Sequence, residues 1–207
     1  ALFARIDALW AERDALDLDD EQARVLMLTH RNFIRAGAGL TGAAEVRMKE
    51  IKERLAVLGT EFSQNLLADE RDWHMELSDS DMEGLPEFLK DAATAAATEK
   101  DVDGAIITLS RSLVVPFMQF SPRRDLRERA YKAWAARGAN GGATDNRDLA
   151  REMLALRQEM AKLLGYPDFA SFKLETEMAK TPGIVRQLLE DVWAPAKERA
   201  QQDAEGL

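Results

Sequence analysis

The chain has 207 residues, 46% of them hydrophobic and 31% charged, a balance that supports one large domain or two small ones and argues against disorder. It has no Cys and two His, which excludes a disulfide framework, a cysteine nucleophile and cysteine-ligated metal. The net charge of −9 has the wrong sign for an ordinary nucleic-acid binder, and no apolar run reaches the roughly 18 residues of a membrane span.

The first 70 residues read as helix. Leu2, Ile6, Leu9 and Trp10 share one face of a short helix. No basic region precedes an apolar run here, so no signal peptide is read. Asp19 and Asp20 are candidate caps for a second helix running to about Ala36. Its predicted stripe is Val25, Leu28, Phe33 and Ile34, and Gly37 and Gly39 stop it. Thr41 is the predicted cap of a third helix, at about 42–69. In it Val46, Ile51, Leu55, Leu58, Phe62 and Leu66 recur at helical spacing. Such a helix is about 42 Å long at 1.5 Å per residue.

The middle segment, 71–120, differs. Trp73, Met75 and Leu77 alternate with Asp72, His74 and Glu76, a strand pattern. Ser78 or Asp79 caps a turn, and Pro86 suits the first turn of a short helix. Ala92 to Thr98 is alanine-rich, and Asp103-Gly104 signals a turn. Ala105 to Leu109 is a β-rich run, followed by Leu113-Val114-Val115, which Pro116 limits to an edge or strand end. A two- or three-stranded antiparallel insertion is expected.

Residues 121–207 return to helix. Pro122 opens one carrying Leu126, Ala130, Tyr131 and Trp134. Gly138, Gly141 and Gly142 then form what reads as a flexible loop. Thr144 or Asp145 caps the next, with Leu149, Met153, Leu156, Met160 and Leu163 on its face, and Gly165-Tyr166-Pro167 ends it. A short helix spans about Phe169 to Met178. Thr181-Pro182 starts a last one with Ile184, Val185, Leu188, Leu189 and Val192. The fold class is therefore mainly α, with a long helix and a small β insertion.

No spacing in the chain assembles a reaction centre. A zinc-peptidase helix needs two His at i and i+4 with a Glu between them. The residue four after His30 is Ile34, and four after His74 stands Ser78. A di-iron bundle needs Glu three before His, where Met27 and Arg71 stand instead. Scattered Asp and Glu on amphipathic helices read as solvated faces. His74 reads as a rim residue, and His30 as a structural hydrogen-bonding group between helices. Arg123, Arg124, Arg127, Arg129, Lys132 and Arg137 form a basic cluster, but Asp125 and Glu128 interrupt it, so ion pairs explain it better than RNA. The Gly138 to Gly142 segment lacks the phosphate-loop pattern. No catalytic, cofactor-binding or metal-ligating residue is assigned.

Several phrases resemble one family when taken together and in order. They are Asn32 to Leu40; Ile51 to Leu55 and Glu61 to Leu66; Thr108-Leu109 through Val115-Pro116-Phe117 to Arg127, Tyr131 and Ala136-Arg137; Asp145-Asn146 with Leu156 to Tyr166; and Met178 to Pro182. This set resembles the zinc metallopeptidases of the thimet oligopeptidase and oligopeptidase A family, and leans toward bacterial peptidyl-dipeptidases. The family's H-E-x-x-H motif is absent here and lies downstream of the matching region in relatives. The resemblance implies an N-terminal-half fragment that frames a peptide channel without supplying the metal site. It implies zinc and short peptide substrates for the parent enzyme, the C-terminal catalytic half as partner, a cytoplasmic location, and an isolated fragment that is inactive and holds no zinc. No nucleic acid or membrane partner is expected. Trp193 and the stripe from Ile184 to Val192 are candidates for an exposed surface that favours self-association. The alternative is a non-enzymatic helical interaction module.

Overall fold

The computed structural model describes residues 2–206. Its helices are α1 (Leu2–Ala11), α2 (Asp20–Arg35), α3 (Ala43–Asp72), α4 (Glu87–Glu99), α5 (Arg111–Phe120), α6 (Arg124–Ala135), α7 (Arg147–Leu163), α8 (Phe169–Leu174) and α9 (Pro182–Glu205). Two strands, β1 (His74–Leu77) and β2 (Ala105–Thr108), interrupt them. The fold is mainly α with one small antiparallel sheet. Residues 2–55 and 154–206 form one compact unit, and residues 56–153 form another.

In the first unit, α1 packs on α2. Asp19 caps α2 through a reciprocal box: its carboxylate accepts from the Gln22 N–H at 2.8 Å, and the Gln22 side chain accepts from the Asp19 N–H. The predicted stripe of α2 needs correction. Val25 and Ile34 are exposed, whereas Leu26, Leu28, His30 and Phe33 are half-buried. Short pairing with one neighbour helix covers only part of an apolar arc. Val46 in α3 is exposed for its part, and Met48 is buried with Ile51. Residue Gly165 ends α7 at φ +87°, where Tyr166 N–H reaches the Ala161 carbonyl and Gly165 N–H the Lys162 carbonyl. That left-handed closure suits a residue without Cβ. The following helix, α8, stops at Leu174, short of the predicted Met178, and Asp168 caps it by accepting from Ser171 N–H at 2.7 Å.

The second unit holds the main apolar cluster. Met75 and Leu77 of β1, Ala105 and Ile107 of β2, Leu89 and Ala93 of α4, Leu113, Val114 and Phe117 of α5, and Ala130 of α6 are all buried in it. The register pairs His74 with Thr108, Met75 with Ile107, Glu76 with Ile106 and Leu77 with Ala105. The alternation seen in the sequence thus puts Met75 and Leu77 in the core and Glu76 in solvent. All four β2 residues are buried. The alanine run packs closely: Ala93 and Ala97 are buried on α4, and their small side chains let that helix approach β2.

The antiparallel insertion has two strands, within the two or three expected, and the edge-strand reading of 113–115 is corrected. Leu113-Val114-Val115 belongs to α5, with Pro116 inside the helix. The Ser110 carbonyl accepts from the Leu113 and Val114 N–H groups at 3.0 and 2.9 Å and starts the turn. Leu113, Val114 and Phe117 then lie on one helical face and are buried together. Three such side chains are worth about 1.5–3 kcal/mol each, against about 3 kcal/mol for an interior proline. Burial wins, and the helix tolerates Pro116.

Phe117→Ala is expected to destabilise the chain by about 3–5 kcal/mol in urea unfolding, because the ring is fully buried. Tyr131→Ala, on an exposed side of α6, is expected to cost less than about 0.5 kcal/mol.

Candidate functional site

Most of the chain's chemistry-bearing side chains are tied to one another. His30 Nε2 lies 3.0 Å from Asp7 Oδ1, and the imidazole stacks on Trp10 with centroids 4.9 Å apart. It bridges α2 to α1, the structural role its position suggests. His74 is half-buried on β1, with Nε2 4.0 Å from Glu76 Oε1. Among the described residues, no group of three or more His, Asp or Glu side chains is arranged to hold a metal ion.

The densest polar cluster lies where α3, the end of α6 and the start of α7 meet. The Gly138 to Gly142 segment, read from sequence as a flexible loop, is pinned. Asp69 on α3 accepts from Gly138 N–H at 2.7 Å, from Asn140 Nδ2 at 2.8 Å and from the Thr144 hydroxyl. Asn146 is only 2% exposed and is satisfied on several sides. Its N–H donates to the Gly138 carbonyl at 2.8 Å, its Nδ2 to the Phe62 carbonyl at 3.0 Å, and its Oδ1 accepts from Asn65 Nδ2 at 2.9 Å. Gly138 sits at φ +67°, and a Cβ there would meet Leu66 Cδ2 at 2.9 Å and Asn146 Nδ2 at 3.1 Å. A residue without Cβ suits both that backbone and that approach. Arg137 completes the joint by pairing with Glu70 and covering the Trp134 ring at 5.0 Å.

Asp145 accepts from Gly141 N–H at 2.8 Å and from Arg147 N–H at 2.9 Å, and also pairs with the Arg147 guanidinium. The Arg147 side-chain hydrogen bond, then its N–H, hold that carboxyl well below the usual carboxylate range. This bond sits just ahead of α7, which begins at Arg147, past both predicted caps, Thr144 and Asp145.

A second cluster lies in the first unit. Arg35 of α2 donates to the Phe172 carbonyl at 2.8 Å, pairs with Glu175, and lies 4.0 Å from the Phe172 ring centroid. Tyr166 donates to Glu175 Oε2 at 2.6 Å. That hydrogen bond, together with Arg35, lowers the Glu175 pKa, whereas burial, reinforced by Glu175, raises that of Tyr166. Arg47 Nε and Nη2 grip Glu159 at 2.7 and 2.9 Å, fixing α3 to α7 within this unit.

Arg123, Lys132 and Arg137 of the basic cluster make ion pairs. Arg123 pairs with Asp81 and, at 2.8 Å, with Asp125; Lys132 reaches Glu128 at 2.5 Å; Arg127 donates to the Ser121 carbonyl at 2.5 Å.

A run of apolar side chains on α9 is exposed. On α9, Ile184, Leu188, Leu189, Val192 and Trp193 are 55–68% exposed. A groove of about 530 Å³ runs beside them, lined by Ala170 and Leu174 of α8 and by Val185, Leu189 and Trp193 of α9.

Comparison with known proteins gives the following similarities. Residues 117–207, from α5 to the end of α9, match the model of Peptidase family M3. The resemblance is to this peptidase family. The chain is 34% identical over 201 residues to the dipeptidyl carboxypeptidase of Salmonella typhimurium, covering 96% of this chain and 30% of that protein. It is 31% identical over 204 residues to the Escherichia coli dipeptidyl carboxypeptidase, covering 98% and 30%. It is 33% identical over 191 residues to the Escherichia coli oligopeptidase A, covering 90% and 28%. The chain therefore spans about 30% of the length of the M3 relatives it matches. No helix of the described residues is long and apolar enough to cross a membrane.

The Glu175 carboxyl, with its pKa lowered in the fold, contributes stability that is present above the unfolded value of about 4.3 and is lost as pH falls below it. Glu175→Gln is expected to flatten the fall in unfolding free energy between about pH 5 and pH 3. An unchanged pH profile, measured by urea unfolding across that range, would remove Glu175 from this role.

Proposed function

We propose that this chain forms a non-catalytic helical part of a zinc-dependent oligopeptidase of the M3 type, one that releases C-terminal dipeptides from short peptides in the cytoplasm. The supporting observation is a combination. The chain resembles M3 relatives almost from end to end, yet its own polar groups are engaged in holding helices together. In such an enzyme, zinc would polarise the scissile carbonyl and activate water. The donor set of this chain does not fit that metal, because His30 is committed to Asp7 and His74 sits alone with Glu76 on a strand. Zinc ligation and hydrolysis are therefore assigned to residues outside these 207.

The partner in this reading is the remaining portion of an M3 peptidase, and the α9 face is the surface it covers. The helices would act as a stiff wall that admits short, unfolded peptides. Within each unit polar contacts tie α3 to its neighbours, Arg47–Glu159 in the first and Asn65–Asn146 in the second. Without that partner, the exposed α9 face drives self-association.

The test uses the purified chain with added zinc and an internally quenched short peptide. No turnover is expected, and the sedimentation coefficient of the same sample is expected to rise with concentration. Hydrolysis that co-purifies with the chain and stops on adding a chelator would refute the non-catalytic assignment. A strict monomer at high concentration would refute the assignment of the α9 face.

A further inference from the structure

The chain has eight methionines. Met48 and Met75 are buried, and Met27, Met82, Met118, Met153 and Met160 are half-buried. Met178 is different: it is 99% exposed, as open to solvent as a side chain in an extended peptide. The turn that carries it, between α8 and α9, is an ordered one. Glu177 N–H donates to the Leu174 carbonyl at 2.9 Å, Thr181 N–H to the Ala179 carbonyl at 2.6 Å, and Lys180 is held at φ +62°. The turn presents the thioether to solvent.

We infer that Met178 is an oxidative modification site, the methionine of this chain that peroxide converts first to the sulfoxide. The chemistry needs only an accessible sulfur and a peroxide oxidant. A sulfur lone pair attacks one oxygen of hydrogen peroxide, the S–O bond forms and the O–O bond breaks. The departing hydroxide takes the proton from the new S–OH group, leaving sulfoxide and water. Sulfur loses two electrons and the peroxide gains them. A thiol-dependent methionine sulfoxide reductase reverses the change. Buried thioethers must wait for local opening, so their rates are cut by the rarity of the open state.

The consequence is local. In a core, a sulfoxide disrupts packing. At Met178 no core is touched, so the modified chain keeps its fold. The inference does not depend on the peptidase reading, because it concerns the accessibility of one sulfur.

Dilute full chain is treated with a limiting excess of hydrogen peroxide, quenched at intervals and mapped by peptide mass spectrometry. Met178 is expected to oxidise first, at least about tenfold faster than Met48 and Met75. Far-UV circular dichroism is expected to be unchanged at full Met178 conversion. In Met178→Leu the fastest phase of oxygen uptake should vanish while the slower phases remain. The inference is overturned if another methionine leads, if Met178 tracks Met48 or Met75, or if the fast phase survives the substitution.

Discussion

The hydrogen bonds around Asn146 and Asp69 are the constraint on which the second unit depends. A buried amide and a carboxylate, placed on the start of α7 and the end of α3, take up the main-chain and side-chain polar groups of the intervening loop. Asn146 alone joins the Gly138 carbonyl, the Phe62 carbonyl and Asn65. Each bond is worth about 1 kcal/mol net, but leaving any of these buried groups unpaired costs about 1–3 kcal/mol. That asymmetry makes the joint close as a whole. Gly138 is part of it, because any side chain at that position would strike Leu66 and Asn146.

The first unit repeats the logic with charge. Arg35 is sandwiched between the Phe172 ring, the Phe172 carbonyl and Glu175, and Tyr166 supplies Glu175 with a second donor. Arg47 spans α3 and Glu159 of α7 with a bidentate fork. A planar guanidinium suits such sites because its donors are fixed in the geometry a carboxylate or carbonyl needs. Glu175 and Glu159 are thus each engaged by an arginine of another element. On α9, by contrast, the side chains from Ile184 to Trp193 that stay exposed are apolar.

Much of this was legible in the amino-acid order. The long periodic run from Val46 to Leu66 lies within a 30-residue helix, and the Trp73 to Leu77 alternation is a strand with the expected faces. His30 makes the interhelical contact its setting implied. The failures have physical causes. Leu113-Val114-Val115 was a short apolar run, for which strand and helix periods cannot be told apart, and burial of Phe117 one turn later decided for helix. Val25, Ile34 and Val46 matched a helical stripe but sit on its edges, where no neighbour covers them. The loop after Gly138 looked loose because glycine and asparagine are permissive. What orders it is Asp69, almost 70 residues earlier, and no local pattern reports a partner that distant. The one signal in reach was Asn146 itself, an amide directly ahead of an amphipathic helix.

The central claim is that these polar groups form a rigid joint, committed to architecture. Native-state hydrogen exchange, resolved at single amides, tests it most directly. The account predicts that the Gly138 and Asn146 N–H groups, held by the Asp69 carboxylate and the Gly138 carbonyl, exchange as slowly as the core amide of Val114, through unfolding of the whole unit. Exchange of those two amides within about tenfold of an unprotected peptide, while Val114 stays protected, would show a mobile loop and contradict it.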